Sequence, residues 1–295
     1  MKWFWLLAVG LFLGNHAAFA GDANAPLEWN GKPNRATCPD EESYAWVKLD
    51  QGKACIRYFS GGPVDQAPVA IVLFQGDRNR IMDRDPEEIR NNTRRAQEGF
   101  ARSMTKKADI PVIVVERPGT YGSSGNHRKR RQLREFEILN AALDLIKERH
   151  GIKRFVLLGH SGGATAGAAL LTLGRDDVRC AVLTSGAFAL LERSARLQKA
   201  AGKKVNPDVD VTGLTDPYDP LEHVDSIKPD PKRMIYLLGN PQDKVTPFDL
   251  QSRFAKAVEK AGHRVALEAH AGQPPLYHNL LDNIGIRTAG RCGRE

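Results

Sequence analysis

Continuous apolar runs alternate along most of the chain with segments whose apolar residues recur at helical spacing. The run from Val69 to Phe74 has no polar interruption, as a strand buried on both faces requires. Similar runs lie in "IPVIVVE", "RFVLLG", "CAVLTSG", "RMIYLLG" and "HRVALEA". Between them fall helical patterns: residues 86–107, a helix over 131–150 with Leu139, Ala142, Leu143 and Ile146 on one face and Gly151 to end it, "ATAGAALLTL", and "PFDLQSRFAKAVEKAG". A closing helix is predicted over "HNLLDNIGI", residues 278–286. Strands alternating with amphipathic helices imply an α/β protein, with a mostly parallel sheet covered by helices on both faces.

Two segments break the rhythm. "YAWVKLD" and "KACIRYF" flank a Gln-Gly turn and read as an antiparallel hairpin ahead of the parallel strands. Residues 191–232 form a long polar excursion between two strands; its position at a strand's carboxyl end suits a small lid over a site, with a plain surface insertion as the alternative. With no repeat and no linker, residues 45–295 read as one domain, preceded by an irregular arm over 21–44.

The first twenty residues stand apart. Lys2, an apolar run from Trp3 to Leu13, a polar break at Asn15 and His16, and Ala18 and Ala20 around Phe19 have the layout of a secretory signal peptide cut after Ala20. The run is too short for a membrane span, which takes about 20 residues. The expected product is therefore an exported protein, periplasmic or secreted, with no membrane span. Export gives the four cysteines a meaning: no Cys-x-x-Cys pair suggests a metal or redox site, and disulfides are expected, with Cys38–Cys55 and Cys180–Cys292 the favoured pairing of three. The net charge of +8 raises the question of a polyanionic partner, and "HRKRRQLRE", residues 127–135, is the densest basic run. No aromatic residues are interleaved there to stack bases, so a solvated loop and helix start is expected, and no nucleic acid.

The chemistry centres on "FVLLGHSGGATAG". Ser161 stands where an apolar strand switches abruptly to a helix, between Gly159 and Gly163, the context that makes Gly-x-Ser-x-Gly a nucleophile elbow. Such a turn exposes the hydroxyl and aims the Gly162 amide at an oxygen that becomes negative during attack on a carbonyl. The serine needs a base, and the base an acid. Asp243 follows the strand "YLLG" on the same sheet edge and is preferred to Asp219 and Asp249. His278, after a glycine and proline loop, is preferred as base to His270, which lies close against the last strand; His160 sits inside the turn itself and is expected to help shape the pocket, and His127, His150, His223 and His263 fall in basic, helical or surface-like contexts. For the second oxyanion donor the candidate is the amide of Asp77 in "LFQGDRN", with Gln75 as a helper and the Asp77 carboxylate turned away or paired with Arg78 or Arg80.

These residues resemble the α/β-hydrolase superfamily from about Val69 to Leu281. "VVERPGTYGSSGNH" is similar to its fourth-strand segment. The stretch from "DPLEHV" to "GHRV" resembles the acid-bearing region of the prolyl-oligopeptidase-like and dienelactone-hydrolase-like branches, where an aspartate precedes a valine and a proline, as Asp243, Val245 and Pro247 do. "FQGD" departs from the usual His-Gly or Gly-Gly oxyanion segment, and "GNPQD" from a more open loop. The resemblance implies a single α/β-hydrolase domain, a Ser161, Asp243, His278 triad and neither metal nor organic cofactor. Three functions follow. An exported serine esterase with a small-molecule or peptide-like acyl substrate leads, a small peptidase or amidase is second, and a non-catalytic binding protein on the same scaffold is third.

Overall fold

The computed structural model describes residues 22–39 and 43–295; the segment read as a signal peptide lies outside them. Eight strands form one sheet in the order β1-β2-β4-β3-β5-β6-β7-β8. β1 (Tyr44–Leu49) and β2 (Gly52–Gly61) are the antiparallel hairpin, and β2 also runs antiparallel to β4 (Val112–Val115). β3 (Val69–Phe74), β5 (Arg154–His160), β6 (Val178–Thr184), β7 (Met234–Gly239) and β8 (Arg264–Ala269) continue the sheet in parallel from β4.

Pleating sends alternate side chains of one strand to opposite layers. Val72 and Phe74 of β3 pack with α2 (Leu133–His150), α3 (Gly162–Thr172) and α5 (Phe248–Lys260). Ile71 and Leu73 pack with α1 (Arg94–Ala108) and α6 (Ile284–Arg294) on the other side. Strands covered on both faces have no polar face, which is why their sequences read as unbroken apolar runs.

Helix ends depart from the pattern at two places. The segment read as a helix from residue 86 begins only at Arg94: Asn91 has a left-handed backbone (φ 63°), and the Thr93 side chain accepts a hydrogen bond from Ala96 N at 3.2 Å. The closing helix is α6, beginning at Ile284, because Asp282 and Asn283 are both left-handed and interrupt any helix entering from residue 278. His278 consequently lies in a loop. α2 matches its predicted span to within two residues and ends on left-handed Gly151.

Both disulfides pair as expected. Cys38–Cys55 ties the N-terminal arm to β2, and Cys180–Cys292 ties α6 to β6. The excursion opens with α4 (Leu190–Ala200) and then runs irregularly to a short 3-10 segment, Pro220–Ser226. It folds back on the start of α2: Asp210 pairs with Arg131, and the Thr215 carbonyl accepts from the Gln132 side chain at 3.2 Å. Among the described residues no helix is long and apolar enough to cross a membrane.

Candidate active site

The carboxyl ends of β3, β5, β6 and β7 converge on Ser161. Its backbone takes φ 54° and ψ −121°, a conformation a side chain adopts only where the surroundings force it. The forcing is visible in both directions. Ser161 N donates to Thr184 O at 2.9 Å, holding the turn to β6, while Ser161 O accepts from Ala164 N at 3.0 Å and starts α3. Close approach to β3 demands small residues: a β-carbon on Gly163 would collide with the Phe74 carbonyl, and one on Gly162 with the Asp77 carboxylate. As the first residue of α3, Gly162 has an amide with no partner inside the helix.

Asp243 and His278 meet beside this turn, His278 Nδ1 lying 2.8 Å from Asp243 Oδ2. Asp243 is held on every side. Oδ1 accepts from Val245 N at 2.7 Å and Thr246 N at 2.9 Å, and the Thr246 hydroxyl reaches Oδ2 at 2.8 Å. Burial alone would raise its pKa; the hydrogen bond and charge of His278 and the two amides outweigh burial and hold it below the usual carboxylate range. The His278 carbonyl accepts from the Ser185 hydroxyl at 2.7 Å, anchoring the histidine loop to the end of β6. On its other side the His278 ring lies 4.8 Å from the His160 ring, centroid to centroid. Burial and the neighbouring His278 push His160 down to about 4, so it stands neutral at neutral pH. Ser161 Oγ itself makes no hydrogen bond among the described residues, which leaves it open to a ligand.

Across the elbow lies the β3 loop. A β-carbon on Gly76 would be 3.2 Å from Ser161 Cβ, so this loop lies directly against the serine. The Asp77 amide makes no hydrogen bond among the described residues. The Asp77 side chain departs from expectation. It pairs neither with Arg78 nor with Arg80 but with Arg117 (2.8 Å), Arg130 (3.3 Å) and Arg131. Burial would raise its pKa; the guanidinium groups of Arg131, Arg117 and Arg130 overcome that and hold it well below the usual carboxylate range. Arg117 is shared with Glu135 at 2.7 Å, and Arg131 with Asp210 at 3.0 Å.

Comparisons with known proteins bear on the fold that carries this site. A family model described as the alpha/beta hydrolase fold matches residues 89–225. The chain has the α/β-hydrolase fold. Similar solved structures include Est1E from Butyrivibrio proteoclasticus (14% identity, TM-score 0.55, 85% of this chain and 97% of that one). The Pyrococcus furiosus esterase PF2001 is similar at 14% identity and TM-score 0.56, over 91% of this chain and 97% of that one. An acylaminoacyl peptidase from Pyrococcus horikoshii is similar at 16% identity and TM-score 0.52, over 85% of this chain but only 39% of the peptidase. No curated protein sequence matches significantly.

Within the α/β-hydrolase fold the remaining candidates take other places. His270 pairs with Glu268 at 3.0 Å. Asp219 accepts from Leu190 N, capping α4, and Asp249 pairs with Arg196. Gln75 does not help at the oxyanion position, because its amide nitrogen is turned to Glu116 at 3.1 Å and its oxygen accepts from Arg78. The basic run is not a solvated loop: Arg130 and Arg131 are buried against the Asp77 carboxylate, and His127 is buried beside them, while Arg128 stays exposed. His127 is 1% exposed, and burial and the charge of Arg117 push its pKa down to about 3. Thr246 and Ser185, which hold the acid and histidine loops, escaped the reading of the sequence. Their signal was faint: Asp-x-x-Thr marks a side-chain turn in many loops without function. Among the described residues no group of three or more His, Cys, Asp or Glu is placed to hold a metal ion.

Proposed function

We propose that the protein is an exported serine hydrolase that cleaves carboxylic esters. The observation that carries this reading is the Asp243 and His278 pair, at 2.8 Å, beside a strained Ser161 at the tip of β5. In the proposed reaction the Ser161 hydroxyl adds to the substrate carbonyl while His278 Nε2 takes its proton. Asp243 holds the Nδ1 proton in place and stabilises the imidazolium that results. The carbonyl oxygen, now negative, is received by the amides of Gly162 and Asp77. His278 then protonates the leaving alcohol, and the acyl group on Ser161 is released by water in a second passage through the same steps.

Esters are preferred to amides because an alcohol leaving group demands less of the general acid than an amine does. An open cleft of ≈ 460 Å³ adjoins the elbow, bounded by Gly76 and His160 and walled by Phe100, Met104, Leu158 and Ile284, room for an apolar portion of the substrate. The two disulfides support an oxidising compartment.

A fluorophosphonate probe, which reacts with an activated serine, tests the reading together with 4-nitrophenyl esters of graded chain length. The intact protein is expected to label and turn over, and Ser161→Ala to do neither while remaining folded by circular dichroism. Folded wild-type protein that neither labels nor hydrolyses any ester would return the molecule to a binding role.

A further inference from the structure

Arg193, on the first turn of α4, is buried at 5% exposure and has no carboxylate within ion-pair distance among the described residues. Its Nε donates to the Val245 carbonyl at 2.9 Å, and Val245 N in turn donates to Asp243 Oδ1, so the guanidinium is fastened to the acid loop of the site. Nη1 is buried with no acceptor among the described residues. An arginine in this position is costly, since burying a cation without a partner is opposed by its lost hydration.

Nearby acids do not relieve it. Glu192, its neighbour on α4, is turned outward to Arg196 and Arg253. Asp219 is occupied as a cap, and both oxygens of Asp243 are taken by amides, Thr246 and His278. Toward the β3 loop, Asp77, Glu135 and Asp210 are engaged by Arg117, Arg130 and Arg131, so four guanidinium groups face three carboxylates and Arg193 is the one without a contact. Burial and the charge of Arg131 push the Arg193 pKa down to about 10, against the weaker pull of Asp77, Asp210 and Asp243. It remains a cation at neutral pH. Its bond to Val245 and its place on α4, nine residues after Thr184, whose carbonyl holds Ser161 N, set it beside the acid loop at the sheet edge where Ser161 emerges.

We infer that Arg193 is a substrate-binding residue whose free guanidinium edge takes a carboxylate, making the preferred substrates esters that carry an anionic group near the scissile bond. The inference rests on the hydrolase reading above and adds a substrate class to it. The buried orphan donor explains why the site tolerates an unpaired arginine: the partner arrives with the substrate. Arginine suits this role because its fork presents two parallel N–H groups to a carboxylate.

The test compares esters of the same shape that differ in charge. On the acyl side, 4-nitrophenyl hydrogen succinate is set against 4-nitrophenyl 4-methylpentanoate; on the leaving-group side, 3-acetoxybenzoate against 3-isopropylphenyl acetate. In one pair the anionic member is expected to be favoured in kcat/KM by about 10-fold to 100-fold, the range for a hydrogen bond to a charged group. The preference should persist in about 0.5 M NaCl, which screens the general attraction of a chain with net charge +8 for anions but not a buried contact. Arg193→Met is expected to erase the preference for the anionic member, chiefly through KM, and Arg193→Lys to restore part of it. No preference in either pair, or an equal fall for both members in Arg193→Met, overturns the proposal. Calorimetry separates it from the hydrolase reading. Succinate should bind Ser161→Ala more tightly than butyrate does, and Ser161→Ala combined with Arg193→Met should lose that advantage. If no ester is turned over yet succinate binds in this Arg193-dependent way, the hydrolase reading fails and the anion site stands. If neither is seen, both fail.

Discussion

Two buried carboxylates flank Ser161 and are kept ionised by opposite means. Asp243 is surrounded by dipoles, two backbone amides and a hydroxyl, with the His278 ring as its one titratable partner. Asp77 is surrounded by full charges, three guanidinium groups that are themselves tied to Glu135 and Asp210. A carboxylate held by dipoles leaves its one mobile partner free to gain and lose a proton, as a base in catalysis must. One locked among permanent cations cannot change state, and serves instead to brace the loop that carries its own amide. The same chemical group is thus proposed to act on the reaction at one wall and on the architecture at the other.

The same substitution on both walls breaks the comparison most sharply. In Asp243→Asn the side-chain oxygen still accepts from Val245 N and Thr246 N, but the new NH2 donates to His278 Nδ1 and fixes the ring in the tautomer that cannot take the serine proton. A loss of about 10⁴-fold in kcat is expected, with unfolding free energy changed by less than about 1.5 kcal/mol. Asp77→Asn removes the charge shared by Arg117, Arg130 and Arg131 and is expected to cost about 3–5 kcal/mol of stability in urea titration. Should Asp77→Asn leave stability untouched, or Asp243→Asn unfold the protein, the two roles are misassigned.

A smaller effect probes the charged wall by pH. Burial raises Glu116 to about 7, against the lowering effects of Arg78 and of hydrogen bonds from Gln75 and Thr120. The folded state therefore holds a proton that the unfolded chain releases in the ordinary carboxylate range. Stability from this group is full below that range and is lost as pH rises toward 7. Glu116→Gln cannot titrate. Its stability relative to wild type should be higher at about pH 8 than at about pH 4.5, by about 1–3 kcal/mol. A difference that does not vary with pH would mean that folding does not raise the Glu116 pKa.

What the sequence disclosed follows from range. The sheet, its helices and the elbow were legible because each is written in consecutive residues: an apolar run, a helical period, a glycine beside Ser161. That Asp243 and His278 meet was legible because each follows a strand on the sheet edge that exposes Ser161. The charged wall was not. Asp77, Arg117, Arg131, Glu135 and Asp210 come from five separate segments, and a basic run looks the same in sequence whether its arginines meet water or a buried carboxylate. Arg193 was hidden for the same reason, since being unpaired is a property of the fold and not of the residue. The start of α6 was misjudged because Asp282 and Asn283 carry no proline or glycine to announce the left-handed turn.

The finest distinction concerns Thr246. Its hydroxyl lies 2.8 Å from Asp243 Oδ2, 3.0 Å from the Ser185 carbonyl and 3.3 Å from His278 Nδ1, but it has one proton to give. If it serves Asp243, it is one of four donors that keep the acid ionised, and its removal leaves the two amides and His278 in place. Thr246→Val, which keeps the shape, is then expected to lower kcat by about 5-fold to 10-fold, the worth of one hydrogen bond, with KM little changed. Thr246→Ser should restore most of it. A fall as deep as that of Asp243→Asn would show that the hydroxyl sets the His278 tautomer itself; no fall at all would assign its proton to the Ser185 carbonyl, making Thr246 a brace between β6 and the acid loop rather than a support of the acid.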